Sequence, residues 1–75
     1  MGAGIPVLTA VQVERVLLAL GFERRSGKGA HRFYRHPDGR TTTVPFHSGR
    51  DISPVLLRKI CRDIDVTVES FLQQR

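Results

Sequence analysis

Hydrophobic residues recur at helical spacing between residues 9 and 20. Four of them follow the i, i+3, i+4, i+7 pattern of a buried stripe: Val13, Val16, Leu17 and Leu20. Thr9 and Gln12 fit a capping box at the start of this helix, and Gly21 fits its end because glycine tolerates the left-handed conformation. The pattern therefore predicts an amphipathic helix whose polar positions face water: Gln12, Glu14 and Arg15.

The middle of the chain is typical of three short strands joined by turns. The strands are predicted over three ranges, 22–26, 31–36 and 40–45, and the last is rich in β-branched residues. Residues 27–29 form a glycine loop, and residues 37–39, Pro-Asp-Gly, are a strong turn signal. Residues 46–52 are predicted to be a loop.

Alternation divides the second strand into two sides. One side carries His31, Phe33 and Arg35. The other carries Arg32, Tyr34 and His36. Neither side is apolar, so the pattern leaves open which of them packs against the helices.

Two further helices complete the chain. Ser53 caps the first of them and Pro54 begins it, and its buried stripe is formed by Leu57, Ile60, Cys61 and Ile64. Thr67 caps a short last helix. Strands between helices predict an α+β domain over residues 1–75, with a loose tail at 1–7 and helices on one face of a three-stranded antiparallel sheet. The other face of the sheet would be open and basic.

The charge of the chain is concentrated in its middle. Twelve Lys and Arg against seven Asp and Glu give a net charge of +5. Six of the basic residues lie between positions 24 and 40, opposed only by Asp38: Arg24, Arg25, Lys28, Arg32, Arg35 and Arg40. A local positive field favours a polyanionic ligand, although a solvated basic face without a ligand has the same composition.

The single cysteine, Cys61, cannot form a disulfide within the chain and indicates a reducing compartment. It lies on an apolar helical stripe, where a small hydrophobe is the better interpretation than a nucleophile. No apolar run is long enough to span a bilayer and no signal peptide is visible, so we expect a cytoplasmic location without membrane contact.

His31 is the first candidate for chemistry, because imidazole exchanges protons near neutral pH. RNA carries its own nucleophile, the 2′-hydroxyl, so one histidine among phosphate-binding groups could cleave it without a metal or cofactor. The candidate phosphate-binding residues are Lys28, Gly29, Arg32 and Arg24. The alternative is an ordinary, half-exposed strand histidine.

The other candidates are weaker. His36 is expected to order the following turn, and His47 lies in a loop; the spacings of the three histidines match no zinc pattern. Phe33 and Tyr34 could stack on bases, but core packing is expected for at least one of them. The acidic residues form no convergent pair, so hydrolysis by paired carboxylates has no support.

Four motifs, in this order and spacing, resemble the HicA family of bacterial and archaeal toxins. They are Gly21-Phe22, Gly27-Lys28-Gly29-Ala30-His31, His36-Pro37-Asp38-Gly39 and Val44-Pro45-Phe46-His47. The helix from Ser53 and the ending near Leu72 are also similar, so the resemblance covers about residues 9–72.

The resemblance implies a fold like a double-stranded-RNA-binding domain, α-β-β-β-α, and the toxin of a type II toxin–antitoxin system. Such a toxin is an mRNA interferase, a ribonuclease whose active site an antitoxin, HicB, covers. The family's catalytic histidine falls on His31. Ala30 stands where the family often has serine, so a hydroxyl donor for positioning the phosphate is missing there. Two alternatives remain open, a non-catalytic RNA-binding module and a protein-interaction domain.

Overall fold

The computed structural model describes residues 5–25, 29–46 and 51–75. The elements run in the order β1 (Leu8–Thr9), α1 (Ala10–Ala19), β2 (Glu23–Arg25), β3 (His31–Arg35), β4 (Thr41–Pro45), β5 (Asp51–Ile52), α2 (Pro54–Asp63) and α3 (Val68–Gln73). The α+β class and the α-β-β-β-α layout expected from the sequence are confirmed.

Strands β2, β3 and β4 form an antiparallel sheet with β3 in the centre. Tyr34 of β3 lies opposite Arg24 of β2 and Thr42 of β4. Tyr34, Thr42 and the next inward residue, Val44, are buried, whereas the alternate residues of both strands are exposed or half-buried. The side with Arg32, Tyr34 and His36 therefore packs against the helices, which settles the question that alternation had left open.

The core forms between this side of the sheet and the helical stripes. The stripes predicted for α1 and α2 are buried, except that Leu20 is half-buried. Phe71 of α3 is fully buried beside them, and Cys61 is 2% exposed, so its role as a small core hydrophobe is confirmed. No helix within the described ranges is long and apolar enough to cross a membrane.

Local signals fix the helix starts. The Thr9 hydroxyl accepts the Gln12 N–H at 3.1 Å, and the Gln12 side chain accepts the Thr9 N–H at 2.9 Å, which confirms the capping box. The hydroxyls of Ser53 and Thr67 accept the N–H groups of Leu56 and Ser70 in the same way. These bonds satisfy backbone donors that a helix start leaves without partners.

The predicted loop over residues 46–52 needs a correction. Asp51 and Ile52 form β5, which pairs antiparallel with β1, so Leu8 lies opposite Ile52. Both of these residues are buried. A two-residue strand is too short to show an alternating pattern, and its partner, β1, lies far away near the start of the sequence, so only the folded chain reveals the pairing. Ile5, within the predicted tail, packs partly buried against the core.

Gly21 ends α1 in the left-handed region predicted for it, at φ +95°. The Gly21 N–H donates to the Leu18 carbonyl at 3.1 Å, and the Phe22 N–H donates to the Leu17 carbonyl at 2.9 Å. This pair of bonds is a Schellman motif. It turns the chain so that Phe22 enters the core at the start of the sheet.

Gly21→Ala is expected to destabilise the fold more than Gly39→Ala. Both glycines have a similar positive φ, +95° and +101°, so each substitution costs about 1–2 kcal/mol of backbone strain. A Cβ on Gly21 would also lie 3.1 Å from the His36 Nε2, whereas a Cβ on Gly39 would meet nothing within 4 Å. Chemical denaturation of both variants measures the difference, and equal losses would show that the His36 contact costs nothing.

Candidate functional site

His31 is the first residue of β3 and lies opposite Pro45 of β4. The pairing continues one step further, because the Phe46 N–H donates to the Ala30 carbonyl. His31 is exposed, on the side of the sheet away from the helices. The strand ladder therefore holds the backbone of the predicted catalytic histidine while its side chain meets solvent.

The solvent side of the sheet, here called the open face, is built from alternate residues of the three strands. Its members are all exposed: Glu23, Arg25, His31, Phe33, Arg35, Thr41 and Thr43. Arg25 lies opposite Phe33, and Phe33 lies two positions from His31 along β3. Arg25 and His31 are therefore diagonal neighbours, and their Cα atoms lie about 7–8 Å apart. An imidazole, two guanidinium groups and an aromatic ring thus share one surface.

The open face keeps most of its positive charge. Within the described ranges, Arg35 makes no ion pair. The Arg25 Nη1 lies 3.6 Å from the Glu23 Oε1, but both side chains are more than half exposed, at 55% and 66%. Exposed pairs of this kind contribute little energy and dissociate readily. Arg25 and Arg35 are therefore available to an anion.

On the other side of the sheet, Glu14 of α1 gathers three partners. The Tyr34 hydroxyl donates to the Glu14 Oε2 at 2.5 Å, and the Arg32 Nη1 donates to the same oxygen at 3.2 Å. The Arg24 Nη1 lies 3.6 Å from it. We call these four residues the Glu14 cluster. The prediction that Glu14 faces water was wrong, since its side chain is only 17% exposed.

The Glu14 cluster shifts the ionisation of both its central groups. Burial alone would raise the pKa of Glu14, but the Tyr34 hydroxyl and the charges of Arg32 and Arg24 outweigh it, so the pKa lies below its usual value. Burial raises the pKa of Tyr34 far above its usual value, and the adjacent Glu14 carboxylate raises it further. The cluster is therefore a carboxylate with a neutral phenol and two guanidinium groups.

Two predicted phosphate-binding residues, Arg24 and Arg32, belong to this cluster and not to the open face. The Arg32 guanidinium also lies 3.8 Å from the centre of the Phe46 ring, as a cation–π contact. Arg24 is the more accessible of the two, with 53% of its side chain exposed. The contact of Arg24 and Arg32 with RNA stays a prediction. In the structure, both residues help to hold α1 against the sheet through Glu14.

Gly29 is exposed just before the candidate catalytic histidine, in the left-handed region at φ +60°. No atom of the described residues would lie within 4 Å of a Cβ there, so contacts with those residues do not by themselves require glycine. The conformation does favour it. Lys28 and His47 lie outside the described residues.

His36 orders the turn that follows it, as predicted. Its N–H donates to the Arg40 carbonyl at 2.8 Å, and the Asp38 N–H donates to its Nδ1 at 3.1 Å. Its ring packs edge-on against Phe22, with centroids 5.1 Å apart. His36 is therefore a structural histidine, on the opposite side of the strand from His31.

Arg40 also has a structural role that the charge pattern did not reveal. Its Nε donates to the Asp38 Oδ2 at 2.8 Å, and its Nη1 donates to the Ile64 carbonyl at 2.5 Å. Ile64 is the C-cap of α2, where a cation stabilises the exposed carbonyls. The basic stretch thus divides into cations that support the fold and cations that face solvent.

No group of three His, Cys, Asp or Glu side chains in the described part of the chain could hold a metal ion. Burial raises the pKa of the Cys61 thiol to about 11, which keeps the thiol protonated and unreactive at neutral pH. Of the two histidines that the structure describes, His31 is the exposed one, and it shares the open face with Arg25 and Arg35. This position suits chemistry on an anionic ligand.

In a comparison with protein families, the family described as the HicA toxin of bacterial toxin–antitoxin matches residues 11–66, which include nearly all of α1, the three-stranded sheet and α2. Comparison with curated proteins gives no match.

Proposed function

Because the chain belongs to the HicA family of toxins of bacterial toxin–antitoxin systems, we propose that it is an endoribonuclease that cleaves mRNA without a metal ion. The observation that supports this most is the position of His31. It is exposed on the open face, with Arg25 as its diagonal neighbour and Arg35 further along the same strand.

The chemistry follows from RNA itself. His31 transfers one of the two protons of the reaction, either by removing it from the 2′-hydroxyl or by giving it to the departing 5′-oxygen, and water transfers the other. The 2′-oxygen attacks the adjacent phosphorus, and the bond from phosphorus to the 5′-oxygen breaks. The products are a 2′,3′-cyclic phosphate and a 5′-hydroxyl. Nearby cations stabilise the negative charge that develops on the phosphorane.

Two sets of residues are proposed to hold phosphates. Lys28, Gly29, Arg32 and Arg24 follow from the sequence, and Arg25 and Arg35 are added by their position on the open face. In the second set neither guanidinium must leave a buried partner to bind an anion. Arg24 and Arg32 would each have to share or release Glu14.

The toxin of such a system has a cognate antitoxin, and we propose a protein of the HicB type that binds the open face in a hetero-oligomer. The complex would act in the cytoplasm, where mRNA is. RNA and antitoxin would then compete for the same cations. A stable ternary complex of toxin, antitoxin and RNA would contradict this arrangement.

We expect the purified protein to cleave a long unstructured RNA in excess EDTA and to leave 2′,3′-cyclic phosphate ends. The same sequence with 2′-deoxy sugars should resist cleavage, because it lacks the nucleophile. Gel electrophoresis and end-group analysis measure both results. Cleavage of the deoxy substrate would refute attack by the 2′-hydroxyl. No cleavage of either substrate by folded protein would refute the ribonuclease and leave a non-catalytic binding module.

A further inference from the structure

Phe33 is an exposed aromatic residue without a packing role in the core. It is 38% exposed at the centre of the open face. The other aromatic rings of the chain have structural surroundings: Phe22, Tyr34 and Phe71 are buried, and Phe46 lies under the Arg32 guanidinium. Phe33 thus presents an apolar ring to water on a surface that is otherwise polar.

The strand register surrounds Phe33 with groups suited to a nucleotide. Arg25 of β2 and Thr43 of β4 lie directly opposite it on either side. His31 and Arg35 lie two positions away along β3, and side chains two apart on a strand share one face. A ring with a cation beside it and the candidate catalytic histidine next along the strand could contact both a base and its phosphates.

We propose that Phe33 stacks on an unpaired nucleobase next to the cleaved phosphate, so that the substrate is single-stranded RNA. The inference rests on the proposed function, since it describes another part of the same RNA site. Every base presents a π-face, so stacking gives affinity with little sequence preference. Arg25 and Arg35 then hold the flanking phosphates.

The open face favours an unpaired strand over a duplex. In a duplex the bases are stacked on one another, and a protein meets mainly phosphates, sugars and groove edges. An exposed phenyl ring gains little from such a surface. A splayed single strand instead buries the ring under a base while its phosphates meet the arginines. The exposed ring and the charge of the face therefore complement single-stranded RNA.

Binding by the His31→Gln protein tests the inference, because that variant is expected to leave the RNA intact. Adding Phe33→Leu keeps an apolar side chain of similar size but removes the ring. We expect binding of a short unstructured oligoribonucleotide to weaken by about 5- to 160-fold, the range for loss of a stacked base. Phe33→Tyr should retain binding. Fluorescence anisotropy measures the affinities, and circular dichroism checks the fold.

An oligomer of the same length with abasic central nucleotides separates stacking from general contact. Phe33→Leu should leave the affinity for this abasic oligomer unchanged. It should also leave the affinity for a duplex of the same sequence unchanged. Val55→Ala removes another exposed apolar side chain, from α2, and should change the affinity for neither the base-bearing nor the abasic oligomer. Equal losses for the abasic and base-bearing oligomers would overturn the inference. No effect of Phe33→Leu on either oligomer would also overturn it.

These results separate the inference from the proposed function. If the wild-type protein cleaves RNA but the loss of affinity caused by Phe33→Leu does not depend on bases, the proposed function stands and the stacking site is refuted. If Phe33→Leu causes a base-dependent loss of affinity but the wild-type protein does not cleave RNA, the single-strand binding site stands and the ribonuclease activity is refuted.

Discussion

His31→Gln is expected to abolish RNA cleavage while the protein stays folded. Glutamine can donate and accept hydrogen bonds but cannot exchange a proton at neutral pH. Loss of a general acid or base lowers the rate by about 10²- to 10⁴-fold. His31 is an exposed strand residue, so the free energy of unfolding should change by no more than about 0.5 kcal/mol. Cleavage in EDTA and urea denaturation measure the two effects.

His36→Gln is the matched control, because His36 differs from His31 in location and not in chemistry. Its ring contacts Phe22, and its Nδ1 accepts the Asp38 N–H in the turn. The variant should therefore lose stability, yet its folded fraction should cleave at the wild-type rate. The opposite pair of results, an active His31→Gln and an inactive but folded His36→Gln, would move the chemistry to the other side of the sheet.

The helices and turns could be predicted because their signals are local. The capping box of α1 lies within four consecutive residues, and Gly21 directly follows Leu20, the C-cap of the same helix. Strand β5 could not be predicted, since its two residues carry no pattern and their pairing partners are Leu8 and Thr9. Short pairings between distant segments depend on the tertiary fold and leave little trace in sequence.

The orientation of β3 could not be predicted because both of its sides are polar. The buried side carries a tyrosine and an arginine, which is tolerable only because Glu14 receives a hydrogen bond from each. Glu14 itself looked like a solvent-facing helix residue, since its partners come from β2 and β3. The sequence therefore predicted that His31, Phe33 and Arg35 share one side of β3. It could not predict whether that side faces solvent or the helices.

Glu14→Ala is expected to lower the free energy of unfolding by about 1–3 kcal/mol, the cost of leaving a buried polar group without its partner. Tyr34 is fully buried, so its hydroxyl would lose the Glu14 acceptor in a place that water does not reach. Arg32 and Arg24 would lose their counter-charge as well. A double-mutant cycle with Tyr34→Phe measures the coupling, which should be about 0.5–3 kcal/mol for groups in direct contact.

Glu14→Gln separates the charge of this residue from its hydrogen bond, because the amide oxygen can still accept from Tyr34. The pKa of Glu14 is lower in the folded protein than its usual value of 4.5. Its ionised form therefore stabilises the fold above that value, and the stabilisation is lost as the pH falls through the folded pKa. The wild-type protein should lose stability on acidification below about pH 4.5, and Glu14→Gln should lose less.

Glu14→Gln also tests whether Arg24 and Arg32 contact RNA. If both arginines bind phosphate, removing the competing carboxylate should raise RNA affinity at low salt and steepen its salt dependence. If they only hold α1 against the sheet, stability should change and RNA affinity should not. Urea denaturation between neutral and acidic pH gives the first result, and a salt titration of binding gives the second. If Glu14→Gln kept the wild-type stability at every pH, the charge of Glu14 would contribute no net energy to the fold, because the gain from its ion pairs would only balance the cost of burying the carboxylate.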